Sequence, residues 1–233
     1  MDAFSFNLLL AAAGLAIAHT ALGPDHTLPF LMLAKARRWT TARTLLVTLL
    51  CGVGHVASSL LLGGVGLALG YGVARVTAWE ELRGGLAAWA LIAFGIAYAV
   101  WGVRHAIRRR AELQPHLHGA DVHMHAHGGH THAHDHGTGS RTTFWALFAV
   151  FVLGPCEPLI PLFVLPASRG RWDVAILTAV VFSVLTVATM MLLVRLALAG
   201  LSYLPLERLE RWSHALAGGV IAASGLAVVL LGL

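Results

Sequence analysis

Five polar breaks divide this chain of 233 residues into six long apolar stretches. Each stretch has the ~20 residues that a helix needs to cross the hydrocarbon core of a bilayer. Only 12% of the residues are charged, whereas a soluble domain carries about 25%. The pattern therefore predicts an all-α membrane protein with six transmembrane helices. The predicted stretches lie roughly at 4–33, 44–71, 84–103, 143–166, 173–200 and 213–233.

Lysine and arginine are concentrated on one side of this arrangement. The first, third and fifth breaks hold 11 of them, whereas the second and fourth breaks hold 4. Positive residues accumulate in cytoplasmic loops. We therefore expect a multi-pass protein of the cell (inner) membrane, with both termini outside and the long third loop in the cytoplasm. The sequence has no patch of interleaved aromatic and basic residues, so no nucleic-acid partner is expected.

The two halves of the chain resemble each other. LGPDHTLPFLMLAKARRW (22–39) aligns with LGPCEPLIPLFVLPASRGRW (153–172) with small gaps, and 86–102 aligns with 216–232 without gaps. Because each half has three spans, the second half enters the membrane from the opposite side, which predicts an inverted 3+3 repeat. Chance alignment of apolar sequences is the alternative. The predicted units are a first three-helix repeat, a His-rich cytoplasmic loop and a second three-helix repeat, at 1–104, 105–142 and 143–233.

Glycine and proline interrupt the first predicted helix of each half, in the sequences GPDH and GPCEP. Proline has no N–H and displaces the carbonyl four residues earlier, so Pro155, for example, frees the carbonyl of Phe151. A freed carbonyl inside a membrane must face protein, water or an ion. Together with the carboxylates of Asp25 and Glu157, such oxygens predict a cation site. The alternative is a simple kink that water or neighbouring helices repair.

Three histidines in apolar stretches are candidate metal ligands. His19 and His26 are seven residues apart and would share a face of an unbroken helix. His55 lies within the second apolar stretch. Imidazole suits late first-row divalent ions, and a carboxylate adds charge compensation. Each histidine alone is equally well explained as a hydrogen-bond partner between helices. The predicted metal ligands from both halves are His19, Asp25, His26, His55, Cys156 and Glu157.

Residues 115–137 are rich in histidine. They hold nine of the 14 histidines of the chain, mostly at a spacing of two. The segment has no apolar face, so we expect a loop that is disordered without a ligand. His-rich tracts bind divalent d-block metals, which predicts a metal buffer, sensor or delivery arm; a low-complexity linker is the alternative. The nine are His116, His118, His123, His125, His127, His130, His132, His134 and His136.

At these residues the chain resembles the nickel/cobalt transporter families of bacteria and archaea. Those families carry a His-x4-Asp-His type motif in an early membrane helix, and several have a His-rich loop. The matching residues are His19, Asp25 and His26, with one more residue between the first two. The chain is also similar to the wider superfamily that includes sulfite-exporter-like proteins and the cytochrome c biogenesis thiol-disulfide membrane proteins. GPCEPLIP resembles the Pro-Cys motif of the last group, whose members are inverted three-helix repeats.

The residues and the resemblance together predict a secondary transporter, not an enzyme, for a divalent transition-metal ion. Nickel or cobalt is the expected ion, ahead of zinc and copper, and the cytoplasmic His-rich loop favours efflux. No permanently bound cofactor is expected. The expected partners are the metal ion and the lipid bilayer, with a metallochaperone or a second copy of the chain as further candidates. Two alternatives are a membrane thiol-disulfide electron carrier using Cys51 and Cys156, and a sulfite-exporter-like anion transporter using the basic loops.

Overall fold

The computed structural model describes residues 2–112, 116–118, 121–123, 138–201 and 212–231, which are almost entirely helical. The helices, in chain order, are α1 (Ala3–Leu22), a 3-10 turn (Pro24–His26), α2 (Leu28–Ala36), α3 (Thr41–Ala68), α4 (Val73–Glu112), α5 (Thr138–Leu153), α6 (Leu159–Ser168), α7 (Trp172–Leu201) and α8 (Ser213–Leu231).

Five of these helices are long and apolar enough to cross a membrane, judged by length and composition over the described ranges. They are α1, α3, α4, α7 and α8. The fourth predicted stretch, 143–166, is instead divided between the shorter helices α5 and α6. The first stretch is divided in the same way, between α1 and α2. Both divisions fall at a Gly-Pro pair, since proline cannot continue the hydrogen-bond ladder of the preceding helix.

Helix α4 begins earlier than the sequence predicts. The predicted third stretch starts at 84, but the helix starts at Val73. That boundary is wrong because the charged residues Glu80 and Arg83 suggested a loop, whereas Ala, Leu, Glu and Arg are all good helix formers. The extension carries both charged side chains into the helical bundle, where Glu80 is fully buried.

The His-rich segment contains a short hairpin. Strand β1 (His116–His118) pairs in antiparallel fashion with β2 (Asp121–His123). These six residues have regular backbone pairing, and the assignment of the whole segment as a His-rich loop stays a prediction. Two residues, Gly-Ala in sequence, separate the strands, a length that hairpins favour. The other predicted metal-buffering histidines lie outside the described residues; they are His125, His127, His130, His132, His134 and His136.

The most extensive helix pair joins α4 to α8, and small residues make it possible. A Cβ added at Gly95 would lie 2.3 Å from the backbone nitrogen of Ala222. One added at Gly218 would lie 2.2 Å from the backbone nitrogen of Ala99. Small residues at membrane helix interfaces let backbones approach this closely. The remaining large interfaces are α1 with α7, α2 with α8, and α3 with both α5 and α7.

Large apolar side chains occur both inside the bundle and on its outer surface. Phe30, Phe182 and Met190 are fully buried in the interior. On the outside, leucines such as Leu10 and Leu61 are more than 60% exposed. A contiguous apolar exterior marks a surface that contacts membrane or protein. Together with the five long apolar helices, it is consistent with a multi-pass membrane protein.

Candidate metal centre

The end of α1 brings two histidines together. Helix α1 stops at Leu22, where the Gly23 N–H donates to the His19 carbonyl at 3.0 Å. The 3-10 turn Pro24–His26 then folds the chain back, and the rings of His19 and His26 lie with centroids 4.8 Å apart. A Cβ added at Gly23 would lie 2.4 Å from His26 Nδ1, so only glycine fits at this turn. The break in the helix, rather than helical spacing, juxtaposes the two rings.

Helix α3 supplies a third histidine to this cluster. The His55 ring lies edge-to-face with His26 at 5.2 Å and parallel to His19 at 6.3 Å between centroids. One ring nitrogen from each of the three residues lies within 4.8 Å of the nitrogens of the other two. His26 and His55 are each only 2% exposed, and His19 is half-buried. We call His19, His26 and His55 the His cluster.

The His cluster has three buried nitrogen atoms without a partner. The Nε2 atoms of His19, His26 and His55 are inaccessible and make no hydrogen bond to any described residue. Buried polar atoms are normally hydrogen-bonded, and each exception calls for an explanation such as an ion. A single metal ion bound between the three rings would give all three Nε2 atoms a partner.

The other ring nitrogen of two members is already held. His26 Nδ1 lies 3.1 Å from Asp25 Oδ1, and His55 Nδ1 lies 3.4 Å from the Phe151 carbonyl oxygen. Phe151 is the residue whose carbonyl Pro155 frees from the helical ladder. Histidines that bind metals usually donate their second ring N–H to a carboxylate or a backbone carbonyl, which fixes the ring and leaves Nε2 for the metal.

The donor set fits a late transition-metal ion. Nitrogens that coordinate one ion tetrahedrally at 2.0–2.1 Å lie about 3.4 Å apart. The nitrogens of the His cluster lie up to 4.8 Å apart, so the longest of these separations must shorten by about 1.4 Å for an ion to bind. Imidazole nitrogens suit such ions, whereas Mg²⁺ and Ca²⁺ require oxygen ligands. Three protein ligands leave at least one position open, as in metal sites that exchange their ligands rather than in closed structural sites.

A small cavity adjoins the His cluster. Its volume is about 30 Å³, enough for a water molecule. Asp25 and His55 line one part of it, and Gly84, Gly154 and Pro155 line another. The cavity therefore connects the His cluster to the Gly-Pro break of the second half.

The predicted ligands from the second half are not brought to the His cluster. The Cys156 amide donates to Glu80 Oε1 at 2.9 Å and to Ser59 Oγ at 3.2 Å, and its side chain lies in the hydrophobic core. Glu157 is exposed. From the second half, Phe151 at the end of α5 faces His55 instead, with its carbonyl oxygen near Nδ1 and its ring edge-to-face with the imidazole. The structure brings together four of the six predicted residues, namely His19, Asp25, His26 and His55.

A buried charged pair that is not among the predicted site residues lies beside this region. Glu80 and Arg83 of α4 form an ion pair at 2.7 Å, with the Glu80 side chain fully buried. Their spacing of three residues on a helix, one turn apart, is the signal that could have revealed the pair. It was hidden because both residues fell outside the predicted membrane stretch.

The two cysteines are both free and buried. Cys51 packs in a core cluster with Phe30 and Met190, whereas Cys156 packs in a separate cluster with Val56 and Phe182.

The chain matches no family model, and it is significantly similar to no curated protein and to no solved structure.

Proposed function

We propose that this protein is a secondary transporter for a divalent transition-metal ion, with nickel or cobalt as the preferred ion and zinc or copper as the next candidates. The observation that carries the proposal is the set of three buried, unpartnered Nε2 atoms in the His cluster. The resemblance of the early motif to nickel/cobalt transporters supports the same ion class. No permanently bound cofactor is needed, because the metal is the cargo.

The position of the His cluster supports transport rather than a structural role. His19 and His26 flank a break between apolar helices, and His55 lies in the middle of α3, which is long enough to cross a membrane. Binding sites of secondary transporters are commonly built from such discontinuous helices near the membrane midplane. An intramembrane ionisable residue such as Asp25 is also a mark of an ion pathway.

The helix contacts support an inverted repeat with six passes, in which α5 and α6 together make the fourth pass. Exchanging the two halves converts α1 into α5, α2 into α6, α3 into α7 and α4 into α8. Under this exchange the α1–α7 interface becomes the α5–α3 interface, and the α2–α8 interface becomes the α6–α4 interface. The α4–α8 and α3–α7 pairs are converted into themselves.

Close backbone approaches between α4 and α8 follow the same exchange. In the ungapped alignment of the two halves, Gly95 corresponds to Gly225 and Ala88 to Gly218. A Cβ added at Gly95 would lie 2.8 Å from the Gly218 carbonyl oxygen, and one added at Gly225 would lie 3.0 Å from the Ala88 carbonyl oxygen. Equivalent residues therefore make equivalent contacts, which supports a repeat over chance similarity of apolar sequences.

The C-terminal caps of the two broken helices are also equivalent. Just past the end of α2, Arg38 has a positive φ of 51°, and the Trp39 N–H donates to the Ala34 carbonyl at 2.9 Å. Just past the end of α6, Gly170 has a φ of 74°, and the Arg171 N–H donates to the Pro166 carbonyl at 2.9 Å. Both ends have the pattern of a Schellman cap.

We assign the protein to the cell membrane, with both termini outside and the His-rich segment in the cytoplasm, on the distribution of lysine and arginine. A cytoplasmic segment that collects metal ions favours efflux. A metallochaperone or a second copy of the chain would be the protein partner of that segment.

Metal accumulation in cells tests the proposed function. Cells that express the wild-type protein should show altered nickel or cobalt content by elemental analysis, and His26→Ala and His55→Ala should abolish the change. His105→Ala is the matched control, because His105 stacks on Trp101 and lies outside the His cluster. Unchanged accumulation in both cluster variants, at equal protein levels, would remove the proposal.

A further inference from the structure

One oxygen of the buried Glu80 carboxylate accepts three hydrogen bonds. Glu80 Oε1 accepts from the Ser59 hydroxyl, from Arg83 Nη2 at 2.7 Å and from the Cys156 amide at 2.9 Å. Ser59 Oγ in turn accepts from Arg83 Nη2 at 2.6 Å. We call Ser59, Glu80 and Arg83 the ion-pair cluster. It joins α3 and α4 of the first half to the Gly-Pro break of the second half.

The ion-pair cluster contacts the second-half break at consecutive residues. Arg83 Nη2 donates to the Gly154 carbonyl at 3.1 Å, and the Cys156 amide donates to Glu80. Between them, Pro155 packs so closely on Gly84 that a Cβ there would lie 2.5 Å from Pro155 Cγ. Since Pro155 and Pro158 remove backbone donors and free carbonyls, helical hydrogen bonds cannot hold this segment. The contacts from α4 take their place.

The same break also contacts the His cluster. The Gly154 N–H is shared between the Val150 carbonyl at 2.9 Å and the Phe151 carbonyl at 3.1 Å. The Phe151 carbonyl also faces His55 Nδ1 at 3.4 Å. Gly154 itself is so near His55 that an added Cβ would lie 3.4 Å from Nδ1. A displacement of the break away from α4 therefore moves the carbonyl that orients the His55 ring.

We propose that Glu80 and Arg83 are positioning residues for the metal site, because they hold the second-half break where the Phe151 carbonyl orients His55. This inference rests on the proposed function of the His cluster. The competing explanation is that the pair contributes only to the general stability of the bundle. The two buried cysteines separate the two explanations, because the Cys156 amide donates to Glu80, whereas Cys51 packs with Phe151 in a different hydrophobic cluster.

Two variants and one control test the positioning role. Glu80→Gln keeps the side-chain size but leaves the Arg83 charge uncompensated, which alone can destabilise a buried site. The double variant Glu80→Gln/Arg83→Gln removes both charges together and avoids that penalty. Glu81→Gln is the matched control, since Glu81 is the adjacent residue and is exposed.

The first measurement is the alkylation rate of each cysteine in the full-length protein. Cys156 and Cys51 are both fully buried, and of the two it is Cys156 whose amide donates to the ion-pair cluster. We expect both variants to speed maleimide alkylation of Cys156 about tenfold, the equivalent of one lost charged hydrogen bond. The rate at Cys51 and both rates in Glu81→Gln should stay at wild-type values. An equal acceleration at Cys51, or none at Cys156, overturns the proposal.

The second measurement is the affinity for Co²⁺, with its visible absorption spectrum. We expect a loss of about 10–100-fold in affinity in both variants, with one ion bound per chain and a shifted spectrum, as for loss of an outer-sphere orienting group. If the variants alkylate faster at Cys156 but keep the wild-type Co²⁺ affinity and spectrum, the positioning role is overturned. If the wild-type protein itself binds no Co²⁺ through the His cluster, the proposed function fails. That result differs from a failure of the positioning role, in which the wild-type protein binds the ion normally.

Discussion

Asp25 Oδ1 lies 3.1 Å from His26 Nδ1, at the turn that interrupts the first membrane helix. The Asp25 side chain is 27% accessible, whereas the His26 side chain is almost fully buried. The carboxylate therefore lies at the outer edge of the His cluster, whereas the imidazole it contacts lies in the interior. It holds the His26 ring by this contact and places a carboxylate beside the His cluster.

Asp25→Asn should weaken metal binding without abolishing it. Asparagine preserves the size of the side chain but removes the charge, so we expect affinity for Ni²⁺ or Co²⁺ to fall about 10–100-fold. The stoichiometry should stay at one ion per chain in calorimetric or spectroscopic titration. Asp173→Asn is the control, because Asp173 lies at the exposed start of α7. Wild-type affinity in Asp25→Asn would contradict an orienting role for this carboxylate.

Gly95→Ala should destabilise the pairing of α4 with α8. The added Cβ would lie 2.3 Å from a backbone atom of Ala222, and the helices must separate to admit it. We expect a loss of about 1–3 kcal/mol or more in the free energy of unfolding of the purified protein. Gly85→Ala is the matched control in the same helix, because nothing lies within 4 Å of its added Cβ. It should be neutral, or stabilising by up to about 1 kcal/mol through helix propensity.

Asp2, which immediately precedes α1, makes a pH-dependent contact outside the helices that are long enough to cross a membrane. Asp2 caps α1 by accepting from the Ser5 N–H at 2.9 Å, and its other oxygen lies 3.1 Å from Arg171. These hydrogen bonds, first that to Ser5 and then that to Arg171, hold the pKa of Asp2 well below its usual range. A carboxyl whose pKa is lower in the folded than in the unfolded state stabilises the folded protein when the pH is above the pKa of the unfolded state. That stabilisation is lost as the pH falls from there towards the pKa of the folded state.

Asp2→Asn should therefore lower the melting temperature slightly at neutral pH. The difference from wild type should stay constant down to about pH 5 and disappear at lower pH, as the wild-type carboxylate becomes protonated. Because the pair is exposed, high salt should also reduce the difference. A difference that persists unchanged at low pH would mean that the carboxylate charge is not its source.

The cysteines should be dispensable for metal transport. Cys51 and Cys156 lie in separate core clusters as free thiols. A redox relay needs two thiols that can meet. The double variant Cys51→Ala/Cys156→Ala should retain metal accumulation, with at most the modest stability loss of two small cavities. Loss of transport at normal protein level, or a disulfide between the two residues in the wild-type protein, would favour the thiol-disulfide alternative.

Deleting 115–137 should change metal tolerance more than folding. The segment connects α4 to α5, and its nine histidines predict metal capture rather than core packing. We expect the truncated protein to reach the membrane at normal levels but to protect cells from nickel or cobalt less well. Failure of the protein to fold would contradict the assigned role of the segment.

The sequence predicts the long apolar helices and both helix breaks because these features depend on local chemistry. A run of apolar residues selects a membrane helix wherever it occurs, and a Gly-Pro pair ends a helix without help from distant residues. The prediction of a loop before 84 is wrong for the same reason, because local composition indicates a loop there. Arg83 is a near neighbour of Glu80, but its two other partners inside the bundle lie 21 and 76 residues away, at Ser59 and Cys156.

The composition of the His cluster could be predicted only in part. Residue type identified His19, Asp25, His26 and His55, since ionisable side chains in apolar stretches are costly and few. Residue type also predicts Cys156 and Glu157 as ligands, but the structure places neither of them in the His cluster. Instead, the second half contributes the Phe151 carbonyl, a group that every residue carries and that no sequence motif marks.

By itself, then, the sequence determined the long apolar helices, the two Gly-Pro breaks and the candidate ligands His19, Asp25, His26 and His55. Only the tertiary structure decided which of those residues meet. Local propensities act over a few residues, whereas the His cluster depends on α1, the 3-10 turn and α3 packing at one place, and on a break about 100 residues further along the chain orienting one of the rings. Such juxtaposition is a property of the packed bundle and of no single segment.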